Sequence, residues 1–109
     1  YEYKILGEWM KENIKGIEDK VVMSRKLGVP FYAESKWNVL YYGDPSGLIN
    51  YAKSRGVDYL IIDEYTIPSL RPRLAFLLDE TRKHPEWRVI HIVKWQGRKT
   101  ILYQLVKGP

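Results

Sequence analysis

The chain has 109 residues, 45% of them hydrophobic, and its 18 Lys and Arg against 13 Asp and Glu leave a formal net charge of +5. That length fits one domain with one modest core, and the composition excludes a disordered or low-complexity chain. The lack of cysteine excludes disulfide scaffolds, thiolate catalysis and zinc–thiolate sites; no run of about 18 apolar residues is present to span a bilayer; and the basic excess favours contact with nucleic acid, phospholipid headgroups or a phosphorylated substrate.

Residues 3–15 read as an amphipathic helix. Ile5, Leu6, Trp9, Met10 and Ile14 recur at helical spacing, Lys4, Glu8, Lys11, Glu12 and Lys15 cover the other side, and Gly16 serves as the stop. Val21-Val22-Met23-Ser24 is a short apolar run, the first strand, followed by the basic pair Arg25 and Lys26. A hydroxyl beside two cations can hold an anion, but Lys26-Leu27-Gly28-Val29-Pro30 matches neither a P-loop nor a dinucleotide fingerprint. Residues 30–34 form a short helix or an edge strand, with Pro30 arguing against a central strand. Residues 38–42 have strand propensity and end at Gly43. Asp44-Pro45 opens a helix by capping, with Leu48, Ile49, Tyr51 and Ala52 on its buried side and Gly56 at its end.

The central stretch is 56–65. Leu60-Ile61-Ile62 is an unbroken apolar run, which implies a strand covered on both faces, spanning 57–63. Helix, glycine and strand in succession form the repeating unit of an α/β sheet. Ligands in open α/β sheets sit off the carboxyl ends of strands, so Asp63, Glu64 and Tyr65 are the first candidates for chemistry. The plainer alternative is that the two acids open a solvated loop. Residues 64–69 read as a loop, and a third helix starts near Pro72, with Leu74, Leu77, Leu78 and Thr81 on one face, and stops at His84-Pro85. Trp87 to Trp95 is a strand with Val89, His91, Val93 and Trp95 on one side and Ile90, Ile92 and Lys94 on the other. Residues 96–99 turn, and Thr100 to Val106 returns as the partner of an antiparallel hairpin closing one sheet edge. The expected fold is α/β: a single Rossmann-like domain over residues 1–109, with a mixed, mainly parallel sheet, flanking helices and a C-terminal hairpin.

Chemistry-bearing constellations are sparse. His84 and His91 have no ligand partner at metal spacing on their own elements. Ser24, Ser35, Ser46, Ser54 and Ser69 have no adjacent base and no nucleophile elbow. Asp58 lies about 16 Å along an extended strand from Asp63, too far to share a proton, and Asp63 and Glu64 point to opposite faces if the strand runs through both. Arg71, Arg73, Arg82, Lys83 and Arg88 cluster in sequence among Tyr and Trp, a composition that can bind single-stranded nucleic acid, but no recognition motif accompanies them. No catalytic residue, metal site or cofactor is expected. The candidate ligand-binding residues are Ser24, Arg25, Asp63, Glu64, Tyr65, Arg71 and Arg73.

Several phrases occur in an order that resembles a known family: residues 7–13, then 21–25, Pro30-Phe31-Tyr32-Ala33, the helix 48–56, the strand from Gly56 to Glu64, and the ending 100–105. The chain is similar over nearly its whole length to the soluble carboxyl-terminal domain of multi-spanning GT-C glycosyltransferases. These are the prokaryotic relatives of dolichyl-phosphate-mannose–protein mannosyltransferases, aminoarabinose-transferase-like proteins included. The resemblance implies membrane helices encoded before Tyr1, and a first residue other than Met suits an excised piece. It further implies an extracytoplasmic position, transfer of a sugar from a polyprenyl-phosphate carrier, and catalytic carboxylates in membrane loops outside this chain. The domain's own role would be acceptor binding, covering of the membrane active site, or assembly. Its partners would be the membrane-embedded part of the same protein, a glycan or protein acceptor, and anionic lipid headgroups, toward which each well-placed Lys or Arg contributes about 1 kcal/mol. Two competing expectations are a free-standing basic module for a ligand or nucleic acid, and an independent enzyme resting on Asp63 and Glu64.

Overall fold

The computed structural model describes residues 1–106. Its frame is one open sheet of five strands in the order β2-β1-β3-β5-β4. The strands are β1 (Val21–Ser24), β2 (Lys36–Val39), β3 (Tyr59–Asp63), β4 (Trp87–Trp95) and β5 (Arg98–Leu105). β2, β1 and β3 are parallel, whereas β5 runs antiparallel to both β3 and β4, so the four pairings divide evenly and the sheet is not mainly parallel as expected, because the C-terminal hairpin enters it through β5 beside β3. Helices α1 (Glu2–Asn13) and α2 (Gly28–Ala33) cover one face; α3 (Leu48–Ser54), α4 (Ile67–Leu70) and a 3₁₀ segment, Pro72–Leu78, cover the other. The architecture is α/β with one mixed sheet and flanking helices.

β3 explains the layering. All five of its residues are buried, as the unbroken apolar run requires. Leu60 and Ile62 enter the cluster under α3 and the 3₁₀ segment, with Met23, Leu77, Ile101 and Tyr103. Tyr59 and Ile61 enter the cluster under α1, with Leu6, Met10, Val22 and Leu102. Period-two alternation thus feeds two half-cores from one strand.

Local chemistry accounts for most boundaries. α1 carries Glu2 in its first turn and Lys11 in its last, both favourable to the helix dipole. It ends at Asn13, two residues short of the expected 15. Ile14 is already extended, and Gly16 takes φ 74° at the start of the 3₁₀ turn Ile17–Asp19. The segment from Pro30 is helical: Pro30 falls in the first turn of α2, where a missing N–H costs no hydrogen bond. β2 occupies 36–39 rather than 38–42. β1 offers four residues to pair with, the Leu40 N–H donates to Ser24 O at 2.9 Å, and the chain then leaves the sheet edge with no further partner strand. Asp44 does not cap a helix with its side chain. Its carboxylate pairs with Arg73 instead, and a 3₁₀ turn over Pro45–Gly47 precedes α3. Gly56 stops the helical segment at φ 66°, as its position predicts.

Two expectations fail for identifiable reasons. Residues 64–81 do not form a loop followed by one helix. α4 breaks at Arg71, which the following proline drives out of the helical region to φ −140°, ψ 56°. The next stretch is 3₁₀, with Leu74 and Leu77 buried three apart, the period of that helix. Leu78 is only half-buried and Thr81 is exposed. In the hairpin, β4 carries a bulge at Ile90 between the pairs Val89–Tyr103 and His91–Leu102. The extra residue reverses the phase of the strand. Val89 therefore packs with Ile92 in the α3-side cluster, while Ile90 and Val93 join the α1 side and His91 stacks on Trp9. Gln96 and Gly97 both take positive φ and make the two-residue hairpin turn, so Arg98 and Lys99 belong to β5.

Candidate functional site

The crossover from β1 through α2 leads outward to β2, and the return through α3 leads past β1 to β3. The topological switch therefore lies between the carboxyl ends of β1 and β3, where open α/β sheets hold ligands. Ser24 and Asp63 end those two strands. Both are buried, at 3% and 4% exposure, so Asp63 does not open a solvated loop.

The protein itself engages the groups at this position. Asp63 Oδ1 accepts the Thr66 backbone N–H and the Thr66 hydroxyl, both at 2.7 Å, and Oδ2 accepts the Tyr3 hydroxyl at 3.2 Å. Asp63 thereby holds the turn into α4 and ties the start of α1 to the end of β3. Burial, and then the Asp63 charge, push the Tyr3 hydroxyl far above its ordinary range, so it stays protonated as a donor. Glu64 continues the ladder. Its N–H donates to Lys99 O at 2.9 Å, and its Oε1 accepts the Lys99 N–H at 2.7 Å. The Tyr65 hydroxyl donates to Trp95 O at 2.6 Å, with Arg98 over its ring at 5.4 Å. Ser24 Oγ donates to Lys26 O at 2.6 Å and rounds the corner after β1. The Nε of Arg25 is buried and meets no acceptor among the described residues.

The seven sequence-derived candidates therefore fall into three places. Ser24, Arg25 and Asp63 gather on the α1 side with Tyr3. Glu64 and Tyr65 turn toward the hairpin. Arg71 and Arg73 lie on the opposite face of the sheet, in a cleft of about 160 Å³ walled by residues 41–43 and 71–74. In that cleft the Arg71 guanidinium lies over the Tyr42 ring, 4.8 Å from its centroid, and Nη1 donates to Leu70 O at 2.9 Å. Its Nε is buried with no acceptor among the described residues. A buried unmet donor costs about 1–3 kcal/mol, and such groups are uncommon in folded proteins. Arg73 forms an exposed ion pair with Asp44, a type of contact that contributes about 0–1 kcal/mol.

Sequence reasoning missed Tyr3, Thr66, Tyr41 and Tyr42. The spacing Asp63-x-x-Thr66 carried a usable signal, because an Asp three residues before a hydroxyl and an N–H is a common turn device. Tyr3 bonds across 60 residues of chain, and no local pattern announces such a contact.

Elsewhere, His91 stacks on Trp9 at 3.9 Å with 7° between ring planes, and burial lowers its pKa below the ordinary value. His84 sits edge-on to Phe76 and Tyr103 and is lowered first by burial and then by the Arg82 charge. The Tyr103 hydroxyl donates to Leu77 O, and burial pushes its pKa up to about 12. Among the described residues, no three of His, Asp and Glu come together to hold a metal ion, and no helix is long and apolar enough to cross a membrane. No family model matches this sequence, and neither the curated proteins nor the solved structures compared with it include a match.

Proposed function

We propose that this chain is a non-catalytic soluble domain of a polyprenyl-phosphate-sugar-dependent membrane glycosyltransferase of the mannosyltransferase type. In this reading it lies on the extracytoplasmic face, anchored by helices encoded before Tyr1, and serves acceptor binding, capping of the membrane active site or assembly. The observation that carries the non-catalytic part is the use of the two strand-end carboxylates. Asp63 and Glu64 accept hydrogen bonds from Thr66, Tyr3 and Lys99 and hold the turn and the hairpin in place. A general acid or base must reach a substrate proton, and both Asp63 oxygens and Glu64 Oε1 are turned to the protein's own donors. The ordered phrases of the sequence, and a layout that this reading takes as Rossmann-like without a dinucleotide loop, support the family assignment. The +5 charge suits a surface beside anionic headgroups.

The test is the reading frame of the parent protein. Several apolar segments of about 20 residues are expected upstream of Tyr1, and a frame without them removes the proposal. The purified 109 residues should show no sugar transfer from a polyprenyl-phosphate donor. Turnover by the isolated chain would assign catalysis to it and overturn the non-catalytic reading.

A further inference from the structure

We infer that the cleft between residues 41–43 and 71–74 is a binding site for a small ligand that carries an oxyanion, phosphate or carboxylate, next to a sugar ring. The inference stands apart from the membrane-enzyme reading and uses only the cleft's own residues. Arg71 supplies the anion-binding group. Its guanidinium is held by the bond from Nη1 to Leu70 O, with the Tyr42 ring lying over it, and its Nε–H finds no acceptor among the described residues. The fork of an arginine matches the paired oxygens of a carboxylate or phosphate. Arg73 stands at the same cleft, and its pair with Asp44 is exposed on both sides, so a ligand oxygen can replace that partner at little cost.

The two tyrosines divide the remaining work. Tyr41 is fixed: it packs against Tyr51 at 5.1 Å, and its hydroxyl seats against Gly43 and Gly47, where a Cβ on either glycine would collide with it. Tyr42 is loose. It is 78% exposed, and among the described residues no hydrogen bond ties it down. It covers the guanidinium on one face and presents the other to water, where a sugar ring can stack. The Arg71 Nε is buried, so a ligand oxygen reaches this orphan donor only when a neighbouring side chain shifts, and Tyr42, exposed and without a hydrogen bond among the described residues, is the wall residue with room to do so. The two walls of the cleft continue from parallel strands, residues 41–43 after β2 and residues 71–74 after β3 by way of α4.

The experiment is a low-salt titration of the isotope-labelled chain with glucose 1-phosphate, glucuronate, inorganic phosphate and glucose, read by amide chemical shifts. The two sugar anions should shift amides of residues 41–43 and 71–74, bind more tightly than inorganic phosphate, and weaken with added salt. Glucose should leave those amides in place. Arg71→Gln should weaken the sugar anions by at least about tenfold, and Arg25→Gln, at the other arginine whose Nε is buried without an acceptor among the described residues, should leave them unchanged. Tyr42→Ala, at a position too exposed to affect folding, should reduce the sugar anions to the affinity of inorganic phosphate. The inference is overturned by no shift from either sugar anion, by glucose or inorganic phosphate binding as tightly as they do, by unchanged affinity in Arg71→Gln, or by loss in Arg25→Gln equal to the loss in Arg71→Gln. None of these outcomes bears on whether membrane segments precede Tyr1.

Discussion

Asp63 shows how one carboxylate can serve structure at the position where an α/β sheet ordinarily meets its ligand. With three hydrogen bonds converging on it at 4% exposure, its removal leaves the Thr66 N–H and two hydroxyls without their acceptor. Asp63→Ala is expected to destabilise the chain by about 1–3 kcal/mol, and Asp63→Asn by less, since the amide keeps one accepting oxygen. Urea unfolding followed by circular dichroism measures both, and an unchanged midpoint for Asp63→Ala would show the bonds to be dispensable. The histidines carry the second residue-scale prediction. Burial lowers the pKa of His91 and of His84 from the ordinary 6.5, so the unfolded chain takes up protons that the folded chain refuses. Stability from this source is complete above about pH 6.5 and falls as the pH drops below it. His91→Phe keeps a ring against Trp9 and removes one titrating group. The fall in urea midpoint between about pH 7 and pH 5 should become shallower in that variant, and an identical slope would mean that His91 does not contribute.

Among the elements, α1 and α2 pack closely at Gly7. A Cβ there would stand 2.5 Å from Tyr32 Cβ, 2.7 Å from Val29 O and 3.0 Å from Ala33 N. Two of these neighbours are backbone atoms of a helix, which cannot yield as the tip of a side chain can. Helix propensity alone favours Ala over Gly by about 1 kcal/mol, yet Gly7→Ala is expected to lose about 1–3 kcal/mol through overpacking. A thermal or urea midpoint that rises in this variant would show that the helices separate without cost. The breaks in the other elements follow the same logic of local rule against long-range demand. Pro72 divides α4 from the 3₁₀ segment by a rule readable in the sequence. The bulge at Ile90 is set by the need to place Val89 and Trp87 against Tyr103 and Leu105 while His91 meets Trp9. Nothing in the Trp87–Trp95 stretch distinguishes a regular strand from a bulged one.

The whole molecule is a sheet with a half-core on each side, and β3 and β5 contribute side chains to both. Neither half can empty without exposing the other's strands. Trp9 packs on the α1 side and Trp87 on the α3 side, so the two report on different halves. Variants that keep only Trp9 or only Trp87 should give coincident fluorescence transitions in urea, as one cooperative unit requires. Separated midpoints would show that α1 and its cluster detach first. One of the two outer edges of the sheet is protected in a familiar way: β2 is four residues long and begins with an exposed lysine, which limits strand addition there.

What the sequence by itself determined was the α/β alternation, the fully covered β3, the stop at Gly56 and the closing hairpin. Each of these is written in a local period or a local backbone preference, and such signals survive without knowledge of neighbours. Only the tertiary structure decided what the candidate residues do. The partners of Asp63, Glu64 and Tyr65 lie 60, 35 and 30 residues away for the contacts with Tyr3, Lys99 and Trp95. The cleft around Arg71 likewise joins the stretch after β2 to the start of the 3₁₀ segment, which share no pattern. Hydrogen-bond partners and cleft walls depend on which strands become neighbours, and that is set by the closure of the whole sheet.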